Sequence, residues 1–280
     1  MDIKFLALVS DTDQVRTSEV TKASAALQKQ VLRDFAPIWG QQAAVDAFEK
    51  LEDVPIGHWP IIIRDDIGFS GAAGIHLDQD GQPFGLVQFS NTWQLTASHE
   101  ILEMLADPFG NRLVAGNSIK TGQGRVEYLV EVSDPSEAFQ FGYQITGIQV
   151  SDFYTPQYFD PVTVSGVRYS FTGAITSPRE VLKDGYLSWH DPVSGDWFQQ
   201  VFFGARKEFR NLGPLTNAKE NKRAEIDRLT EVPQKIHGWG GVKPTRTRGA
   251  VMIAASPTVS KAERWRAQIQ SIKQEYGTQG

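Results

Sequence analysis

The distribution of apolar residues in this sequence predicts an α+β fold. Apolar runs of strand length outnumber the segments with helical periodicity, and a polar segment typical of hairpin turns joins two of the runs. In the first half of the chain the predicted order is strand, helix, strand, strand, hairpin and helix, which favours a mixed sheet packed on helices. Hydrophobic residues make up 40% of the 280 residues, so the chain can bury a sizeable core.

The first predicted strand is the apolar run from Ile3 to Ser10. A helix follows, with Thr17 or Ser18 as its N-terminal cap, and a proline ends it. Two more strands are expected at 43–48 and 59–63.

A hairpin and a central helix complete this half of the chain. The segment 75–89 contains two apolar runs on either side of a polar turn, which is the pattern of a hairpin. Ser90 or Asn91 is then expected to cap a helix that Pro108 ends.

The central helix carries the residues that indicate chemistry. His99 and Glu103 lie one turn apart on the same face, so both can bind one ion, and Glu100 is rotated by about 100° toward its open side. The neighbouring residues are apolar on nearly every side, which places the helix in the interior. Because burial of an unpaired carboxylate costs several kcal/mol, the helix predicts a divalent metal site, with a buried polar network as the alternative.

The stretch from His99 to Glu103 resembles the active helix of the zincin metallopeptidases, whose signature is His-Glu-x-x-His. The resemblance implies that His99 and Glu103 bind zinc, that Glu100 activates a water molecule, and that the preceding edge strand binds an extended peptide. It extends to the order of elements over residues 3–107. Glu103 occupies the position at which zincins have the second histidine. Because a carboxylate is a harder ligand than an imidazole, the site can also bind manganese or calcium.

A third metal ligand is expected from later in the chain. The resemblance implies a downstream acid, for which Glu131 is the first choice and Asp134 the second, with turn capping as the alternative for both. Apolar residues alternate along 126–132 as in a strand, which predicts Glu127 and Glu131 on one face.

Four further residues are assigned supporting roles. Asp107, near the end of the central helix, can orient a ligand or hold the following turn. His76 can approach the metal or the substrate from the hairpin, with a structural role as the alternative. Tyr154 and Tyr158 are candidate hydrogen-bond donors to the charged intermediate of hydrolysis, with packing as the alternative.

The character of the sequence changes after residue 160. Hairpins are predicted at 162–171 and 187–198, and a charged, solvent-exposed helix at 217–230. An extended arm is expected at 233–257, followed by a capping box that opens a final helix. The chain is therefore divided into a zincin-like metal-binding domain at 1–160, a strand-rich region with an exposed helix at 161–232, and an arm with a helical tail at 233–280.

Charge and composition restrict the partners. The chain has no cysteine, so a metal must be held by His, Asp and Glu. Residues 1–200 carry 13 basic and 26 acidic side chains, whereas residues 201–280 carry 15 basic and 7 acidic ones, and the acidic body argues against nucleic acid. No apolar run has membrane-spanning length and the N-terminal run does not fit a signal peptide, so we expect a cytoplasmic protein without a membrane partner.

Hypotheses from different functional classes follow. The first is a zinc-dependent hydrolase, a peptidase that acts on peptide or protein substrates. The alternative is a non-enzymatic component of an assembly such as a virion, which is built on an altered zincin-like domain and oligomerises through the C-terminal arm. A sugar-binding surface at Trp189 and Trp197 is the third hypothesis, and packing is its alternative.

Overall fold

The computed structural model describes residues 3–69, 71–79, 81–216, 221–230 and 261–276. These residues form an α+β fold with one mixed sheet, helices against it and two further antiparallel sheets. The helices are α1 Thr17–Lys29, which continues through a π-helical turn Gln30–Phe35 into the short α2 Ala36–Trp39, then α3 Trp93–Ala106, α4 Lys222–Thr230 and α5 Lys261–Tyr276.

Sheet A is formed by the first five strands, which are β1 Lys4–Ser10, β2 Ala43–Phe48, β3 His58–Arg64, β4 Gly74–Gln79 and β5 Gln82–Gln88. Their order is β2-β1-β3-β5-β4. The first four in this order are parallel, and β4 is the antiparallel edge strand. The strands and the hairpin predicted for this half of the chain are thereby confirmed.

Both faces of sheet A are covered, which explains why residues 6–9 of its first strand are all apolar. Leu6 and Leu8 belong to the main core together with residues of α1 and α3, whereas Ala7 and Val9 belong to a second core with Ile269 of α5. Strands buried on both faces are expected to be continuously apolar.

The remaining strands of the described residues are β6 Leu113–Asn117, β7 Arg125–Leu129, β8 Tyr143–Ile145, β9 Ile148–Val150, β10 Tyr186–His190, β11 Trp197–Val201 and β12 Glu208–Gly213. Five of them form sheet B, which is antiparallel and has the order β12-β11-β10-β7-β6. Its strand β7 pairs with β10, so residues on both sides of position 160 share one sheet. A separate hairpin, sheet C, joins β8 to β9.

A buried polar network fixes the position of α3. The hydroxyl of Ser98 donates to Oε1 of Gln30 at 2.7 Å and accepts the backbone N–H of Ser151 at 2.9 Å. The amide of Gln30, the first residue of the π-helical turn, donates to the carbonyl of Ser151 at 2.9 Å. Because Ser98 immediately precedes His99, these bonds from α3 to the π-helical turn and to the residue after β9 hold the motif in place.

Two predicted helix caps and one predicted hairpin are wrong. The N-terminal cap of α1 is Arg16 and that of α3 is Thr92, each one residue away from the predicted positions. Residues 162–171 form no hairpin. The backbone N–H of Val164 donates to the hydroxyl of Tyr169 at 2.8 Å, and Ser170 forms an isolated antiparallel bridge with Tyr154 instead of pairing within the segment.

The second predicted hairpin is present as β10 and β11, with a different tryptophan pairing. Trp189 lies opposite Phe198, and His190 lies opposite Trp197. Both tryptophans are buried, with 0% and 4% of their surface exposed, so they pack in the interior and form no sugar-binding surface.

The C-terminal predictions are tested only in part. The arm at 233–257 and the cap at Ser260 lie outside the described residues. The final helix is present as α5, where Ile269 and Ile272 are buried against sheet A. Within the described ranges, every helix is too short or too polar to cross a bilayer.

We predict that Gly74→Ala destabilises the protein, because β4 crosses α3 at Gly74 without room for a side chain. A Cβ atom there would lie 2.6 Å from Cγ2 of Thr96 and closer still to Oε1 of Glu100. Overpacking of this kind costs about 1–3 kcal/mol and lowers the urea midpoint. Gly124→Ala is the matched control, because no atom lies within 4 Å of its Cβ position. Equal effects of the two substitutions would contradict the prediction.

Candidate metal centre

The helix α3 presents His99 and Glu103 on one face, as their spacing predicts. Nε2 of His99 lies 3.2 Å from Oε1 of Glu103, and Glu103 is fully buried. The backbone N–H of Ser133 donates to the same carboxylate oxygen at 3.2 Å. This bond connects the motif helix to the segment that follows β7.

Asp134 also lies next to His99. Its Oδ1 lies 3.2 Å from Nε2 of His99, and this buried oxygen has no hydrogen-bond partner among the described residues. Zinc ligands at about 2.0–2.1 Å in tetrahedral geometry are separated by about 3.3 Å. Nε2 of His99 therefore lies at a zinc-ligand separation from Glu103 and from Asp134, and the donors of His99, Asp134 and Glu137 are close enough together to hold one ion.

Glu131 and Asp134 have different surroundings. The strand β7 ends at Leu129, so Glu131 lies beyond it, and the prediction of Glu127 and Glu131 on one strand face is wrong. Glu127 instead pairs with His190 at 2.9 Å at the surface. Glu131 is buried and forms an ion pair with Arg223, while its Oε1 has no hydrogen-bond partner in the described structure.

Arg223 of α4 enters this cluster as an internal cation. Its Nη1 pairs with Glu131, lies 2.8 Å from Oδ2 of Asp134 and 3.4 Å from Oε2 of Glu103. Its Nε donates to Asp227 and its Nη2 to the hydroxyl of Tyr186, at 2.8 and 2.9 Å. The predicted exposure of this charged helix is wrong, because the ion pairs with buried acids draw Arg223 into the interior.

Glu100 lies next to the donor group without a hydrogen bond. Only 2% of its surface is exposed, and its Oε2 has no partner among the described residues. Gly74 passes directly beside its other oxygen. A buried carboxylate without a donor is costly, and such groups are typical of functional sites.

His76 and Asp107 are both buried beside this group. Nδ1 of His76 lies 3.5 Å from Oε2 of Glu100, and its Nε2 lies 3.2 Å from the backbone carbonyl oxygen of Asp107. The carboxylate of Asp107 turns the other way and accepts the backbone N–H of Arg112 at 2.6 Å. Asp107 therefore holds the turn after α3 with its side chain and contacts His76 with its backbone.

The positive charge near most acids of the cluster does not offset the effect of burial on their pKa values. Burial raises the pKa of Glu131 well above its ordinary value, the pKa of Asp134 to about 6 and the pKa of Glu137 to about 8. Burial opposes ionisation of Glu103 as well, but His99 and Arg223 together hold the pKa of Glu103 well below its ordinary value. Burial alone would lower the pKa of His99, yet the attraction of Glu103 and Asp134 raises it well above its ordinary value.

Part of the cluster lines a cleft of about 640 Å³, into which His99, Glu100, Glu137 and Arg223 project. The segment 71–73 before the edge strand β4 and the first residue of β4, Gly74, also line it, as do Asp227 and Thr230 of α4. Aromatic and basic side chains add to the lining, namely Phe139, Tyr186, Phe203 and Arg210.

Tyr154 and Tyr158 lie away from the cleft in the main core. Their rings stack at 4.3 Å, both are fully buried, and the hydroxyl of Tyr158 donates to the carbonyl of Glu180 at 3.1 Å. Neither lines the cleft. The hydroxyl of Tyr154 has no hydrogen-bond partner in the described part of the chain, and the acids of the cluster are near enough to raise its pKa, behind burial itself.

Sequence reasoning missed three residues of this site: Glu137, Tyr186 and Arg223. Glu137 groups with His99 and Asp134 in donor positions that can hold a metal ion. Its position three residues after Asp134 in the same turn is a local signal that the sequence contains. Arg223 gives no such signal, because it lies 120 residues after Glu103 in a helix without an apolar stripe.

Comparisons of the chain with protein-family models, with curated proteins and with solved structures found no match. The arguments for function therefore rest on the geometry and charge of the site.

We predict that Arg223→Met destabilises the protein in the presence of a chelator. Removal of one partner from a buried ion cluster costs about 3–5 kcal/mol, since Glu131 and Asp134 would lose their counter-charge. Urea denaturation measures the change. The control is Arg228→Met on the same helix, where a partly exposed side chain lies 3.8 Å from Glu225 and a loss below about 1 kcal/mol is expected. A wild-type midpoint for Arg223→Met would contradict the structural role of this arginine.

Proposed function

We propose that this protein is a zinc-dependent hydrolase, a peptidase with a zincin-like N-terminal half. The observation that carries the proposal is that Nε2 of His99 lies at zinc-ligand separations from Glu103 and from Asp134. His99 and Glu100 line a cleft side by side, and Oε2 of Glu100 has no hydrogen-bond partner among the described residues. The mixed sheet, with its antiparallel edge strand next to the motif helix, is compatible with that fold.

Each residue of the group has a distinct role in this proposal. His99, Glu103 and Asp134 hold the ion, while Glu131 is kept from it by its ion pair with Arg223. A divalent ion supplies Lewis acidity and lowers the pKa of bound water. Glu100 accepts the proton of the attacking water and returns it to the leaving group, because Glu100 lines the cleft beside His99 and its buried Oε2 has no hydrogen-bond partner among the described residues.

The cleft suits an extended polypeptide. The segment 71–73, which leads into the edge strand β4, lines it together with Gly74, and a substrate can add main-chain hydrogen bonds to this backbone. The aromatic side chains that line the cleft can contact substrate side chains.

Glu100→Gln tests the role of the base. The substitution is nearly isosteric and removes the proton acceptor, so we predict hydrolysis of a peptide library to fall by about 10²–10⁴-fold while the ion bound by His99 is retained. The control is Glu127→Gln, since Glu127 pairs with His190 away from the cleft. Activity of Glu100→Gln equal to that of the control would overturn the assignment.

His99→Ala tests the ion itself. We predict that elemental analysis of the protein purified without chelator finds zinc, and that His99→Ala lowers the zinc content per chain by one ion. His190→Ala is the matched control, because His190 lies in sheet B and contacts the surface residue Glu127. Equal zinc content in both variants would place the ion elsewhere.

The second candidate is a non-enzymatic assembly component whose acidic cluster is structural. Arg223 favours it, because one guanidinium already pairs with three of the buried acids, and an arginine-centred network can hold them without metal. This candidate predicts a folded protein without stoichiometric metal in the same elemental analysis.

A further inference from the structure

A second group of donor atoms surrounds the other oxygen of Glu103. Nδ1 of His76 lies 3.7 Å from Oε2 of Glu103 and 3.5 Å from Oε2 of Glu100. His76 and Glu103 are fully buried and Glu100 nearly so. Glu103 therefore directs Oε1 toward His99 and Oε2 toward His76.

The backbone fixes the hydrogen on the ring of His76. Its Nε2 lies 3.2 Å from the carbonyl oxygen of Asp107, which can only accept, so Nε2 carries the hydrogen. This leaves Nδ1 directed at two carboxylates. A ring nitrogen bound to a backbone carbonyl is the usual support for a histidine whose other nitrogen binds a metal.

The separations in this group are those of ligands and not of hydrogen bonds. Nδ1 of His76 and Oε2 of Glu100 are buried and have no hydrogen-bond partner among the described residues. A charged donor and a carboxylate approach to about 2.7–2.9 Å, which is far shorter than the 3.5 Å found here. Two ligands of one ion, with bonds of about 2.0–2.2 Å, are separated by about 3–3.8 Å.

The cluster contains more acidic than basic groups. Five carboxylates contact either Arg223 or His76, and ionisation of all five requires more positive charge than one guanidinium supplies, which divalent ions can provide. The five are Glu100, Glu103, Glu131, Asp134 and Asp227.

We propose that His76, Glu100 and Glu103 bind a second divalent transition-metal ion, with Glu103 as a carboxylate shared between the two ions. One imidazole and two carboxylates suit zinc or manganese. The inference rests on the proposed function only through Glu103. Coordination through Oε2 of Glu100 leaves its Oε1, which lies beside Gly74, to accept a proton.

The experiment is a metal titration of the full chain with variants of each group. Metal-free protein is dialysed against Zn²⁺, and bound zinc is counted per chain in wild type, His76→Gln, His99→Ala and the control His190→Gln. Glutamine at position 76 can still donate to the carbonyl of Asp107 but lacks the nitrogen that faces the acids. We expect two ions in wild type and control, and one in each of the other variants.

A spectroscopic measurement on the wild type needs no variant to fold. Two Mn²⁺ ions that share Glu103 would give an exchange-coupled electron paramagnetic resonance spectrum, whereas one ion gives the spectrum of an isolated centre. An isolated-centre spectrum at saturating Mn²⁺ would overturn the second site.

The outcomes separate this inference from the proposed function. If wild type binds one ion, and this ion is lost in His99→Ala but retained in His76→Gln, the second site is overturned and the first remains. Nδ1 of His76 would then carry a proton in place of a metal ion. If wild type binds one ion, and this ion is lost in His76→Gln but retained in His99→Ala, the site at His76 is supported and the catalytic centre at His99 is overturned. Absence of bound ions at saturating zinc would overturn both.

Discussion

Burial of several carboxylates around one helix is the constraint on which the rest of this structure depends. Glu100, Glu103, Glu131 and Asp134 are nearly fully buried, and burial of ionised acids is tolerated only with nearby positive charge. Arg223 supplies one such charge from a helix far along the chain. The helix α4 is therefore energetically linked to α3 and to the segment after β7, because separation of these elements would leave the arginine and the acids without these partners.

The geometry of the cluster follows from how tightly α3 is held. The network of Gln30, Ser98 and Ser151 positions the helix from one side, and Gly74 allows the edge strand to approach Glu100 from the other. Such support by neighbouring residues is what a metal site needs, since ligands must be held within fractions of an ångström. The same close packing restricts the side-chain rotamers of Glu100 and Glu103, so their carboxylates stay directed toward the two histidines.

The unpartnered atoms distinguish a functional cluster from a purely structural one. A structural ion network is stable when every charged atom is paired, as the guanidinium of Arg223 is. In contrast, Nδ1 of His76 and single oxygens of Glu100, Glu131 and Asp134 lack hydrogen bonds among the described residues. Native proteins retain such groups mainly where a ligand or a reaction uses them.

The sequence by itself determined the strands of sheet A, the hairpin of β4 and β5, the motif helix and the pair His99 and Glu103. These features follow from apolar patterns with a period of two residues in strands and 3.6 residues in helices, and such patterns can be recognised in a short stretch of sequence. Only the tertiary structure decided that Asp134 and not Glu131 approaches His99, that β7 ends before Glu131, and that Arg223 enters the site. The physical reason is that these contacts are electrostatic and join residues up to 120 positions apart, and neither charge pairing nor distance in the fold leaves a periodic pattern in the sequence.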